Sequence, residues 1–306
     1  MALTSKGTQL DIGGTPVAVS NIDKVLYPKN GFTKGQVIDY YIRVSPYLLP
    51  HLKDRPITLK RYPNGVEGFF FYEKNCPPHP KWVTTTNVPR SEGRDISYCL
   101  LNSLPALVWA GNLADLELHT FLHTARSLER PTVIAFDLDP GAPADLVSCC
   151  EVALRLKSLF EKWGLTCFPK TSGSKGLQVY VPLNTAVTYE KTKPFAHAVA
   201  ELLERETPEL IVSKMQKSLR KGKVFVDWSQ NDSHKTTVTV YSLRATEQPR
   251  VSTPLTWEEV RKTVKSRSAA SIQLDSEALL KRVKSKGDLF APVLSLKQKL
   301  PPLSSL

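Results

Sequence analysis

The chain has 306 residues, 41% of them apolar, which allows two domains or one large one and excludes a wholly disordered polypeptide. Its longest apolar run, around Leu104–Ala110, falls far short of the roughly 18–20 residues of a membrane span, and Met1-Ala2-Leu3-Thr4-Ser5-Lys6 lacks the apolar stretch of a secretory signal. Lys and Arg number 41 against 29 Asp and Glu, and this net +12 points to a polyanionic partner, nucleic acid before membrane, because no amphipathic anchor is evident.

Helix and strand patterns alternate along the chain without a repeat or a low-complexity linker. Thr33–Leu49 reads as a helix that Thr33 caps, with Val37, Ile38, Tyr41, Ile42 and Val44 as its apolar stripe. Arg55–Tyr62 and Gly68–Tyr72 read as paired strands joined at the turn signal Pro63-Asn64-Gly65. Leu146–Trp163 is a helix ended by Gly164, and Lys191–Glu206 is another. Between them, Leu165–Lys170 and Leu177–Leu183 read as strands around a Gly/Ser turn. Lys223–Trp228 and Thr236–Leu243 are two further strands, and helices follow at Thr256–Lys265 and Ser276–Lys284. The class is mixed α/β (α+β) with a sheet that is not purely parallel, read as one catalytic module of two lobes. Residues 1–10 and 297–306 read as tails.

The five cysteines, Cys76, Cys99, Cys149, Cys150 and Cys167, are odd in number and irregular in spacing, with no CxxC. That argues for reduced thiols in a cytoplasmic protein over a disulfide framework. Cys76-x-x-His79 supplies half a zinc site, but the other half has no clear candidate. His119 and His123 stand one helical turn apart if their stretch is helical, without an accompanying HExxH.

The strongest chemical feature is Val133-Ile134-Ala135-Phe136-Asp137-Leu138-Asp139-Pro140-Gly141, an apolar strand that runs into two carboxylates and stops at Pro-Gly. Strand residues i and i+2 share a face with Cα atoms about 6–7 Å apart, so Asp137 and Asp139 point the same way. Carboxylates that close repel each other, and a divalent cation resolves the repulsion. Water at a polar strand end does so too. Lys223-Val224-Phe225-Val226-Asp227-Trp228 brings a third carboxylate on another apolar strand, and three carboxylates from two strands suit two-metal phosphoryl transfer. Mg²⁺ and Mn²⁺ both suit an oxygen-only ligand set. In Thr171-Ser172-Gly173-Ser174-Lys175-Gly176 the glycines let N–H groups converge on an anion and Lys175 adds charge, although the spacing is not that of a Walker loop. Lys60 and Arg61 precede Phe69-Phe70-Phe71-Tyr72, a pairing of cations and rings that suits phosphates and bases; alternation puts at least one ring in the core. Lys214, Lys217, Arg220, Lys221 and Lys223 form an acid-free basic cluster that suits a DNA backbone.

Together these residues resemble the polymerase domain of bacterial ATP-dependent DNA ligase D, in the archaeo-eukaryotic primase superfamily. The resemblance runs from Val19-Ser20-Asn21-Ile22-Asp23-Lys24-Val25-Leu26-Tyr27-Pro28 to Pro254-Leu255-Thr256-Trp257. Its three motifs are Phe136–Gly141, Ser172–Leu177 and Val224–Asp227. The resemblance implies a two-lobed fold with a sheet of the RNA-recognition-motif type. The implied activity is nucleotidyl transfer from an NTP or dNTP onto a DNA 3′-hydroxyl, with ribonucleotides preferred and Mn²⁺ favoured over Mg²⁺. Asp137, Asp139 and Asp227 would hold two metals. Ser172, Lys175, His119, Lys60, Gln178 and Arg244 would surround the nucleotide, and Phe70 and Phe71 would stack on bases. Asn21, Lys24 and Lys34 would grip the 5′-phosphate of a gapped or broken end, with help from free N–H groups at the start of the Thr33 helix. The implied partners are DNA, a Ku-type end-binding protein and a DNA ligase, and the implied setting is a prokaryotic, nucleoid-associated one.

One departure is Gln178, where many relatives carry histidine. Glutamine keeps a donor and an acceptor but carries no charge, which implies weaker triphosphate binding or a sharper Mn²⁺ dependence. Two other readings remain. Asp137-x-Asp139 also occurs in phosphohydrolases and glycosyltransferases, though the haloacid-dehalogenase pattern wants Thr or Val where Gly141 stands. The other is a DNA-end-bridging module with a weakened site.

Overall fold

A computed structural model of the protein describes residues 8–90 and 93–302. Strands β1 (Thr8–Ile12) and β2 (Thr15–Val19) form an N-terminal hairpin, and β3 (Val25–Tyr27) pairs with β4 (Phe32–Thr33). Helix α1 (Lys34–Leu52) follows directly; Thr33 and Gln36 close a reciprocal capping box at its start. Next come β5 (Ile57–Arg61), β6 (Phe71–Glu73), β7 (Thr84–Val88), β8 (Ile96–Leu100), α2 (Leu104–Asn112) and β9 (Asp115–Thr120). With β15 (Thr237–Val238) they build a sheet in the order β15-β9-β5-β8-β7, with β6 also on β5.

The second sheet uses β10 (Val133–Pro140), β11 (Phe168–Thr171), β12 (Leu177–Pro182), β13 (Ile211–Val212) and β14 (Val224–Asp227), ordered β11-β12-β10-β14-β13. Its pairs are antiparallel except β13 with β14, so the expected mixed character holds. Helices α3 (Leu146–Lys162), α4 (Tyr189–Glu206) and α5 (Trp257–Ser266) belong to this half, and α6 (Ser276–Lys286) packs with α1.

Buried apolar side chains gather in two large clusters, one per sheet. Strand periodicity explains how the second sheet divides them. Ile134, Phe136 and Leu138 of β10, Leu177, Val179 and Val181 of β12, and Val224 and Val226 of β14 all enter the core shared with α3 and α4. The opposite face therefore carries Asp137, Asp139, Gln178, Phe225 and Asp227. A single period of two buries the hydrophobic half and turns every acidic group the other way.

Several expectations are corrected. The strand expected over Thr236–Leu243 ends after Val238, because Tyr241 takes a left-handed φ of 66° and Tyr241 N–H donates to Ser252 O. Val238, Val240 and Leu243 are buried, so the alternation reflects core packing of an irregular segment. His119 lies on a strand and His123 beyond it, which removes the one-helical-turn relation. Cys76 and Cys99 form a disulfide, so Cys76 has no thiolate for zinc; Cys149, Cys150 and Cys167 are free and buried. None of the four rings from Phe69 to Tyr72 is fully buried. Residues 1–7 and 303–306 of the expected tails lie outside the described residues. Within those tails, Thr8–Leu10 belong to β1. Gln298 bonds both backbone groups of Thr166 and the carbonyls of Pro182 and Leu183. No helix among the described residues is long and apolar enough to cross a membrane.

Candidate active site

The acidic row is set by strand register. Asp137 stands opposite Gln178 on β12 and opposite Asp227 on β14, with Asp139 two residues along the same face. Burial and the neighbouring Asp139 and Asp227 push the Asp137 carboxyl up to about 7, and burial and Asp227 raise Asp139. Asp137 Oδ1 is buried and has no hydrogen-bond partner. Among the described residues no three acidic, His or Cys side chains close into a finished cation cage. Asp227 is held differently. Its Oδ1 accepts from Ser229 N (2.8 Å) and Ser229 Oγ (2.6 Å), its Oδ2 accepts from Gln230 Nε2 (3.1 Å), and Lys235 donates to Ser229 Oγ.

Gln178 is buried and bridged. Its Oε1 accepts from Lys170 Nζ, and its Nε2 donates to Thr237 Oγ1 at 2.9 Å. Lys170 also donates to Ser252 Oγ (2.8 Å) and Val238 O (3.0 Å), and burial pulls its ammonium down to about 7 against the attraction of Asp137. The glutamine thus sits between a buried lysine and β15.

The Ser172–Gly176 loop folds over the end of β10. Gly176 permits this approach, since a Cβ there would stand 2.3 Å from Leu138 O. Gly173 adopts φ 75°, and a Cβ would meet Arg244 Cγ at 2.7 Å. Ser172 Oγ accepts from the N–H groups of Ser174 (3.3 Å) and Gly176 (3.2 Å), so these two amides serve the loop itself. Exposed Lys175 and the Ser172 hydroxyl are what the loop presents. A cleft of about 370 Å³ is lined by Tyr72, His119, Asp137, Asp139, Ser172, Ser174, Lys175, Gln178, Gln230 and Arg244, among others. Arg244 donates to Ser172 O, tying the far wall to the loop.

Behind that wall lies Glu117. It accepts from His119 Nε2 (2.9 Å), Tyr62 OH (3.2 Å), Ala245 N (3.1 Å) and Lys60 Nζ (3.3 Å to each oxygen). Arg244 Nε stands 3.2 Å from Oε2, a charge contact without hydrogen-bond alignment. Burial alone would raise this carboxyl, but the His119 bond and the Arg244 and Lys60 charges hold it well below the usual range. Burial lowers His119, with Glu117 opposing and Arg244 and Lys60 adding to the effect. Lys60 is also surrounded by the rings of Phe70 (4.7 Å), Tyr62 (5.2 Å) and Tyr72 (5.3 Å). Phe71 instead pairs with Phe69 and with the Arg61 guanidinium.

Backbone bonds bring Asn21, Lys24 and Lys34 together before β3 and at the start of α1 (Lys24 N to Asn21 O, Lys34 N to Lys24 O); Asn21 and Lys24 line one cavity there, whereas Lys34 is buried and does not. Lys24 Nζ donates to Asn64 Oδ1 (3.1 Å) and Lys34 Nζ to Asn112 O (3.1 Å), while burial and then the Lys24 charge lower Lys34. The free helix N–H groups expected there are taken: Lys34 N donates to Lys24 O, Gly35 N to Ile22 O and Gln36 N to Thr33 Oγ1. The turn that positions the lysines consumes the amides. The basic cluster divides: Lys214, Lys217 and Lys221 are exposed, whereas Arg220 lies on the Phe225 ring at 3.7 Å and its charge acts on Asp139.

Sequence reasoning missed Glu117, Lys170, Ser229, Gln230 and Lys235. A charged residue inside an apolar strand was the signal for the first two.

The chain matches the family described as LigD, primase-polymerase domain, over residues 33–290. It belongs to that family. The LigD multifunctional non-homologous end joining protein of Mycolicibacterium smegmatis is 38% identical over 280 residues, 90% of this chain and 36% of that protein. The bifunctional LigD of Bacillus subtilis is 35% identical over 89% of this chain and 43% of its own length. This LigD primase-polymerase chain thus spans well under half the length of those relatives. A solved polymerase domain of Mycobacterium tuberculosis ligase D in complex with DNA superposes with a TM-score of 0.85 at 38% identity, covering 92% of this chain and 99% of that one.

Proposed function

We propose that this chain is a template-directed nucleotidyltransferase that adds nucleotides, ribonucleotides by preference, to a DNA 3′-hydroxyl when gaps are filled at joined ends. The observation that carries the reading is one cleft lined together by Asp137 and Asp139, by Ser172 and Lys175 of the loop above them, and by His119 and Arg244. Three carboxylates on adjacent strands, one with an orphaned buried oxygen, form an oxygen-only donor set that fits two Mn²⁺ or Mg²⁺ ions. Such ions would supply charge stabilisation at the reacting phosphoryl group.

The chain's own groups take the remaining roles in this reading. Ser172, Lys175, His119 and Arg244 hold the triphosphate, with Gln178 fixed beneath it, and Lys60 braces the wall. Phe70 and Phe71 offer rings to bases. Asn21, Lys24 and Lys34 receive the downstream 5′-phosphate, while Lys214, Lys217, Arg220 and Lys221 follow the DNA backbone. DNA as the partner is supported by the +12 net charge and by the DNA complex of the related mycobacterial domain. A Ku-type end-binding protein and a DNA ligase are the proposed co-workers, in a prokaryotic cytoplasm at the nucleoid; the end-joining names of the relatives support this.

The test is extension of a primer on a gapped duplex, comparing NTP with dNTP in Mn²⁺ and in Mg²⁺, with and without a downstream 5′-phosphate. The reading expects extension favoured by NTP and tighter binding of phosphorylated gaps, a difference that Lys24→Ala with Lys34→Ala erases. Absence of extension under every condition would refute the transferase reading. Equal binding of both gaps by the unmodified protein would refute the phosphate pocket.

A further inference from the structure

We infer that Glu117 is a positioning residue, holding the cationic wall of the cleft open toward a nucleotide triphosphate. The inference rests on the nucleotidyl-transfer reading of that cleft. Its basis is the convergence of donors from three parts of the chain on one carboxylate that is 2% exposed. Lys60 and Tyr62 come from β5 and its end, His119 from β9 itself, and Arg244 and Ala245 from the segment beyond β15. His119 and Arg244 line the cleft, whereas Glu117 lies behind them.

Glu117 engages the ring-tip Nε2 of His119 and stands beside the inner Nε of Arg244, fixing the direction of both side chains. The Arg244 Nη groups lie beyond its Nε, one of them on Ser172 O. Three potentially cationic groups packed this closely repel one another. A carboxylate at their shared centre offsets the repulsion and fixes their directions before any ligand arrives, so less ordering is left for binding. It also gives Arg244 an anionic partner other than Asp139, whose ionisation the Arg244 charge already favours. Without Glu117, Arg244 turns to Asp139, and a triphosphate-binding group becomes an occupant of the acidic row.

Removing a negative charge from a phosphate site would, on Coulomb attraction alone, tighten phosphate binding. The positioning role requires the opposite sign, which makes the test decisive. Inorganic tripolyphosphate binding is measured by calorimetry on the full chain without metal or DNA, alongside KM and kcat for nucleotide in gap filling. Glu117→Gln should weaken tripolyphosphate binding by about ten-fold or more and raise KM to a similar extent, with kcat within about three-fold. Tyr62→Phe removes one donor from Glu117 without altering the cleft, and should weaken binding about two- to five-fold with an unchanged fold. Glu117→Asp, which keeps the charge but withdraws it by one methylene, should fall between wild type and Glu117→Gln. Unchanged or tighter tripolyphosphate binding in Glu117→Gln, or in Tyr62→Phe if the former does not fold, would overturn the inference even if melting temperature drops. Arg244→Ala separates this from failure of the underlying reading: if it too binds tripolyphosphate like wild type, the wall is not a triphosphate site.

Discussion

The acidic row makes a cation's affinity depend on pH in a way that can be worked out in advance. A cation binds the ionised carboxylate, and Asp137 in the cation-free protein is pushed up to about 7 by burial and by Asp139 and Asp227. Its ionisation is therefore nearly complete at pH 8.5 and reduced about ten-fold for each unit below 7, or about 1.4 kcal/mol per unit. Between pH 8.5 and 5.5 the affinity for Mn²⁺ should fall about 30-fold, close to 2 kcal/mol, with the bend near 7. Asp139, also raised, steepens the fall, and the Lys170 ammonium, pulled down to about 7, adds positive charge in the same direction as pH drops. Titration calorimetry with Mn²⁺ across this range measures it, with Asp137→Asn as the control that loses affinity and flattens the fall to what Asp139 and Lys170 contribute. Equal affinity at pH 5.5 and 8.5 in the unmodified protein would refute the reasoning, because a carboxylate with an ordinary pKa is fully ionised at both.

Three further outcomes follow from the packing. A Cβ at Gly141 would stand 1.9 Å from Arg220 O, so Gly141→Ala should displace the 214–221 segment, lower stability by about 1–3 kcal/mol and weaken DNA binding, as read by thermal melting and fluorescence anisotropy. The Cys76–Cys99 disulfide closes a loop across 23 residues, so reductant or Cys76→Ser should cost up to about 3 kcal/mol in denaturant unfolding. Burial pushes His123 down to about 3 from an ordinary 6.5, so its contribution to stability is full above 6.5 and lost as pH falls from 6.5 through 3. His123→Gln should flatten acid unfolding over that window by roughly 3–5 kcal/mol, with circular dichroism as the measurement.

Elements whose signals are local were legible. Helix α1 starts where Thr33 is expected to cap it, and α3 and α4 match the expected helices to within a few residues. The β1–β2 hairpin and the strands β7, β8 and β9 were missed. β1 and β7 are short and largely exposed, alternating over only a few residues, while β9 hides acids and a histidine among leucines. The acidic row was readable because the period of a strand fixes Asp137 with Asp139, and an apolar strand bearing Asp227 asks for a partner. Glu117 and Lys170 were not, since their partners lie tens of residues away: Arg244 for the first, Val238 and Ser252 for the second. The disulfide escaped for the same reason: cysteine spacing says nothing of the bond from Cys76 N to Ser97 O that lays the segment after β6 beside β8. The amides at the start of α1 were misjudged because the turn that delivers Lys24 also supplies the carbonyls that occupy them.

In the proposed function, Asp137, Asp139 and Asp227 act on the chemistry of nucleotide addition and not on holding DNA. The most direct test is single-turnover extension of a gapped duplex by Asp137→Ala, Asp139→Ala and Asp227→Ala, with DNA affinity measured on the same preparations. Extension should be lost in each variant, with DNA affinity within about three-fold of wild type, because charge stabilisation acts on the transition state. Substantial extension by Asp137→Ala or Asp139→Ala, or loss of extension only in step with loss of DNA binding, would contradict it.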